Sequence, residues 1–225
     1  KAVEEKIAAI GEVTLASKGV IEEAEAAYEA LTEAQKSQVG NADVMAAARA
    51  SYNDLEAAKA VEEKIEAIGE VTLESKSAID EANAAWKALN RTQKKLVPNW
   101  SVLDTAKKSY RNLFNAKAVE EKIEAIGEVT LESKGAIEEA EAAYQALTAD
   151  QKQLVTNADV LAAARKSYND LAAAKAVEDQ IAAIGKVTLT SKSAIEAAES
   201  AYAALTAEQK QLVTNADVLA AARKS

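Results

Sequence analysis

The chain is 225 residues long, 49% hydrophobic and 28% charged, with one Pro, seven Gly, no Cys and no His. That composition excludes a disordered or collagenous chain, and no apolar run approaches the about 20 residues a membrane span needs. The missing Cys and His remove thiolate and imidazole chemistry, and a formal charge of −9 disfavours nucleic acid and anionic membranes, which seek basic faces.

The sequence Lys1-Ala-Val-Glu-Glu-Lys-Ile returns at Lys59 and Lys117, and as Lys175-Ala-Val-Glu-Asp-Gln-Ile. These starts are 58 residues apart with no insertion between them, so the chain divides into repeats 1–58, 59–116, 117–174 and 175–225. A module of that size sits near the small end of what folds alone, and each is expected to lean on its neighbours.

Within a repeat the apolar spacing is helical. The opening helix carries Val119, Ile123 and Ile126 and stops at Gly127, with Gly11, Gly69 and Gly185 at the equivalent stops. A second helix carries Ile137, Ala140, Tyr144 and Leu147 in steps of 3, 4 and 3, and starts between Thr130 and Ser133, either of which can cap it. Thr148-Ala-Asp-Gln151 then reads as a capping box opening a short helix that reaches about Val155. Asn157 stands where a cap belongs, with Asp159 in the first turn, and a third helix begins there. Asp43 and Asp217 align with Asp159, and Ser101 takes that place in the second repeat.

The third helix carries Leu103, Ala106, Tyr110 and Leu113, and its stripe runs on through Val119, Ile123 and Ile126 of the next repeat. No Gly, Pro or polar cluster interrupts it, so the last helix of one repeat doubles as the first of the next. An up-down-up bundle leaves in the direction it entered. The expected fold is therefore all-α, tandem three-helix bundles joined by continuous shared helices in a spectrin-like rod. From 43 to 68 the shared helix spans about 26 residues, or roughly 39 Å. The junction Leu55-Glu-Ala-Ala-Lys-Ala-Val61 contains only tolerable or good helix formers and is expected to be stiff. Lys1 opens inside shared-helix sequence and Ser225 stops short of a counterpart to Tyr168 and Leu171. A fragment with a less stable last repeat is expected.

Carboxylates such as Glu120, Glu121, Glu124, Glu138, Glu139 and Glu141 fall on the polar side of the pattern and read as solvated surface. No calcium-loop pattern occurs, and no catalytic residue, metal or cofactor is expected. The second repeat is the outlier. Ten basic and eight acidic residues give it +2, against −6, −5 and 0 for the first, third and fourth. It holds both Trp, the only Phe and the only Pro, and reads Asn90-Arg-Thr-Gln-Lys-Lys95 where the third repeat reads Thr148-Ala-Asp-Gln-Lys-Gln153. Trp86 aligns with Tyr28, Tyr144 and Tyr202 on the apolar stripe and reads as core, whereas Trp100 replaces Ala42, Ala158 and Ala216 and reads as exposed. Arg91, Lys94, Lys95, Trp100, Lys107, Arg111 and Phe114 form the candidate protein-binding patch, because Arg and aromatic groups anchor interfaces. Asn90-Arg-Thr92 and Asn99-Trp-Ser101 match a glycosylation pattern short enough to arise by chance, and repeats at −6 and −5 beside this one argue against nucleic acid.

Ile126-Gly-Glu-Val-Thr-Leu131, Ala143-Tyr-Gln-Ala-Leu-Thr148 and Gln151-Lys-Gln-Leu-Val155, followed by Asn157 and Tyr168, resemble the helical repeats of Gram-positive bacterial surface proteins, of the albumin-binding and FIVAR-like type. The resemblance spans all four repeats but rests on framework residues. It implies a cell-surface or extracellular location and a stalk, an adhesive arm or a binder of host serum proteins; a non-enzymatic, monomeric stalk is the expectation. The alternatives are a module binding a host serum protein such as immunoglobulin or albumin, and an engineered helical scaffold with a binding patch on the second repeat.

Overall fold

The computed structural model describes residues 1–224. Among them it is all-helical, with thirteen α-helices, four short 3-10 turns and no strand. No described helix is long and apolar enough to cross a membrane. The chain forms two compact units, Lys1–Arg111 and Asn112–Ser225. The first contains α1 (Ala2–Ala8), α2 (Lys18–Glu29), α3 (Glu33–Lys36), α4 (Ala42–Glu66), α5 (Lys76–Ala88) and α6 (Arg91–Lys95), and α7 (Trp100–Glu124) begins within it. The second contains the rest of α7, α8 (Lys134–Ala146), α9 (Ala149–Lys152), α10 (Ala158–Ile184), α11 (Lys192–Ala204), α12 (Ala207–Leu212) and α13 (Ala216–Lys224).

Local chemistry sets most of these boundaries. The opening helices end just before Gly11, Gly69, Gly127 and Gly185, whose φ values of +56° to +59° are strained for any residue with a Cβ. The second helix of each repeat starts through a 3-10 turn, as at Leu131–Ser133, where the Thr130 hydroxyl accepts from the Glu132 N–H and the Ser133 hydroxyl accepts from the Thr130 N–H. The short helices carry reciprocal caps, the expected one of Thr148 with Gln151 in the third repeat and, in the second, one of Asn90 with Gln93 not expected from the sequence. The α9 helix itself stops at Lys152 and continues to Val155 only as a turn.

Asn157 behaves differently from the local expectation. It occupies the cap position of α10, but its side chain makes no bond to the first turn. Its Nδ2 instead donates to the Glu120 carbonyl at 3.2 Å, and Asn41, Asn99 and Asn215 do the same to Glu4, Glu62 and Glu178. The amide is used to tie the start of one long helix to the preceding one, a contact 37 residues away in sequence that no local spacing reveals.

In the first unit, α4 feeds two cores. Its Ala48 and Tyr52 pack with Ile7, Ile10, Ile21 and Ala24, while its Ala58, Val61 and Ile65 pack with Ile68, Ile79, Ala82, Leu103 and Ala106. In the second unit, α10 does the same. Leu161 and Ala164 join Val119, Ile123, Ile137 and Ala140, and Ala174, Val177 and Ile181 join Ile195, Ala198 and Leu219. Neither helix can be removed without opening both of its cores.

Candidate protein-binding surface

Three of the four repeats share one arrangement where the second helix faces the third. An Arg on the third helix pairs with a Glu on the second: Arg49 with Glu25, Arg165 with Glu141 and Arg223 with Glu199. In the first and third repeats the same guanidinium also lies over Tyr52 or Tyr168, 5.7 and 5.9 Å from the ring centre. A second cation covers the ring at the end of the second helix, with Lys36, Lys152 and Lys210 lying 5.6 to 5.8 Å from Tyr28, Tyr144 and Tyr202. Such contacts contribute about 0.5–1 kcal/mol at exposed sites.

The second repeat keeps the second contact and lacks the Arg–Glu pair. Lys94 sits 5.9 Å from the Trp86 ring, where Lys152 sits over Tyr144, so Lys94 belongs to the framework shared by all four repeats. Trp86 is partly buried against the second core, as its place on the apolar stripe implies. At the Arg and Glu positions stand Lys107 and Asn83, and no carboxylate pairs with Lys107 among the described residues. Trp100 is 52% exposed and stacks on Trp86, with ring centres 6.3 Å apart and an interplanar angle of 19°.

The remaining candidates separate. Lys107 follows Trp100 by seven residues on α7 and so lies on the same helical face, and Arg111 follows one turn later. Arg91 and Lys95 are exposed on α6. Phe114 is 56% exposed but belongs to the second unit, and it is not assigned to the surface formed by the others.

In the fourth repeat the space between the second and third helices is a groove of about 470 Å³, lined by Glu199, Tyr202, Ala216, Leu219, Ala220, Arg223 and Lys224. Moving back two repeats, 116 residues, gives Asn83, Trp86, Trp100, Leu103, Asp104, Lys107 and Lys108. Five of those seven positions hold a residue found in no other repeat; only Leu103 and Lys108 are retained. Asn83 and Asp104 carry no striking feature in the linear sequence. Aligning the repeats column by column and asking which changes occur together would have found them.

No protein-family model, curated protein or solved structure matches the chain. The chemistry that this face itself offers is non-covalent: an exposed indole, an amide, a carboxylate and several ammonium and guanidinium groups. No group of three or more Asp or Glu is placed to hold a metal ion among the described residues.

The altered positions also change the response to acid. The Arg165 guanidinium, through its hydrogen bonds, holds the Glu141 carboxyl below the ordinary value of 4.5, and Arg49 does the same for Glu25. The Thr156 hydroxyl and N–H lower Glu120 likewise. A carboxyl lowered in the native state stabilises the fold above its ordinary value, and that contribution disappears as pH falls through the lowered one. In the second repeat Asn83 has no proton to gain and Pro98 has no N–H to donate. Acidification from about pH 6 to about pH 3 should therefore speed hydrogen exchange at Ile137 more than at Ile79, each relative to its intrinsic rate. Equal acceleration would contradict the assignment.

Proposed function

We propose that this chain is a non-enzymatic spacer, a row of three-helix bundles fused through shared helices that forms the stalk of a bacterial cell-surface protein. Repeats 1–58, 59–116, 117–174 and 175–225 are the bundles, the last without a full third helix. One observation carries the reading: α4 and α10 each give side chains to two successive cores and contain no Gly or Pro. A spacer gains stiffness from such helices, because a bend would expose the apolar face that both cores bury. The likeness of the framework motifs to Gram-positive surface repeats supports the location.

Small-angle scattering tests it. Four advances of roughly 39 Å each predict a maximum dimension near 150 Å. A radius of gyration close to the about 17 Å of a compact domain of this length would rule out the spacer.

A second reading has a specific observation in its favour. Trp100, half exposed beside a Lys107 with no carboxylate partner, is the composition of an interface anchor, and a host protein such as immunoglobulin or albumin is the corresponding partner. In that case the second repeat is the gripping module and the others set its distance from the cell.

A further inference from the structure

The first and second repeats carry opposite charges at corresponding places. Glu29 and Glu33 stand at the end of α2 and the start of α3; 58 residues on, Lys87 and Arg91 occupy the end of α5 and the start of α6. The third repeat has Gln145 and Ala149 there and the fourth has Ala203 and Ala207, so only the first two repeats are charged at both positions. All four charged groups belong to exposed residues. Glu29 and Glu33 share Lys36 at 3.1 and 3.4 Å, which leaves carboxylate lone pairs free for a further cation. The second repeat also carries Trp100, half exposed and stacked on Trp86, where every other repeat has Ala.

From this complementarity we propose that two copies of the chain pair about a two-fold axis, the second repeat of each docking on the first repeat of the other. Lys87 and Arg91 of one copy face Glu29 and Glu33 of its partner, and Trp100 is the apolar anchor. A two-fold arrangement suits a surface of this kind, because each copy supplies one basic and one acidic face and both contacts form at once. The loss of the Arg–Glu pair at Lys107 and Asn83 has a role in this arrangement: it leaves an ammonium without an internal carboxylate, available to the partner's carboxylates. The pair goes beyond the spacer reading and differs from the monomer expected from sequence. It can fail while the spacer stands, since scattering from a dissociated chain still reports its length.

Sedimentation equilibrium of the full chain tests the pairing. At low ionic strength a monomer–dimer equilibrium is expected, weakened about tenfold or more when added salt brings the screening length to about 3 Å. Lys87→Glu with Arg91→Glu should leave the chain monomeric. Those variants will fold, because the first repeat already has Glu at both positions. Adding Glu29→Lys and Glu33→Lys to them should restore the dimer. Trp100→Ala, the residue of the other three repeats, should weaken it at least about fivefold, the loss of a modest interface anchor. A chain that stays monomeric at every concentration, a dimer that survives the first charge reversal, or a fourfold reversal that fails to restore pairing would each overturn the proposal.

Discussion

Extending the chain past Ser225 by Tyr-Asn-Asp-Leu, the residues that follow Ser167, is expected to stabilise the fourth repeat by about 2–5 kcal/mol, the scale of burying one or two large core side chains. The reason lies in how the other repeats use those residues. Tyr52 is buried at 5% exposure in the first core, and Tyr168 packs on the third. In the fourth repeat the same region is an open groove of about 560 Å³ lined by Val187, Leu189, Ile195 and Ala222. Leu189 is fully exposed there, whereas Leu15, Leu73 and Leu131 are 37–43% exposed in the other three. The Arg223 side chain is likewise 58% exposed, against 26% for Arg165, which has the Tyr168 ring beneath it. Thermal unfolding and slower hydrogen exchange at Ile195 would report the gain. An extension carrying Ala in place of Tyr and Leu is the control, and equal stabilisation by both would show that helix length, not groove filling, is responsible.

Ala58→Pro is expected to cost more than about 3 kcal/mol, whereas Ala58→Gly should cost only about 1 kcal/mol. Ala58 is 2% exposed in the interior of α4, so Pro both removes a helical N–H bond and drives its ring against the preceding turn. The larger consequence is where the loss appears. Tyr52 on one side of Ala58 belongs to the first core, and Val61 and Ile65 on the other side belong to the second. Both Trp residues lie in the second repeat, so tryptophan fluorescence follows that core alone, and hydrogen exchange at Ile21 follows the first. Both should move to lower denaturant together. A shift confined to one core would mean that the two do not depend on their common helix.

Much of this architecture is legible in the sequence because its determinants are local. The Gly127 stop, the Thr148–Gln151 cap and the uninterrupted stripe from Leu103 to Ile126 each act within one or two helical turns. The positive φ of the glycines and the reciprocal caps follow from those residues alone. What escapes a linear reading acts between helices, over 8 to 39 residues. Asn157 looks like a cap and is a tie to Glu120. Lys94 looks like part of a basic patch and is the framework cation over a ring. Asn83 and Lys107 look like unrelated polar substitutions, yet they are the two halves of a lost ion pair, as Arg165 and Glu141 show. Charge counting finds the second repeat but cannot say which of its changes fall at positions that pair across helices in the other repeats.

The capping glutamines of the short helices do more than close a helix end. Beyond its capping role, the side chain of Gln93 donates to Asp54, that of Gln151 to Asn112 and that of Gln209 to Asp170, in each case 39 residues earlier in the chain. During synthesis the acceptor always emerges first. A newly made short helix therefore finds its acceptor already synthesised, so each of the last three repeats can be tied to the one before it as it emerges.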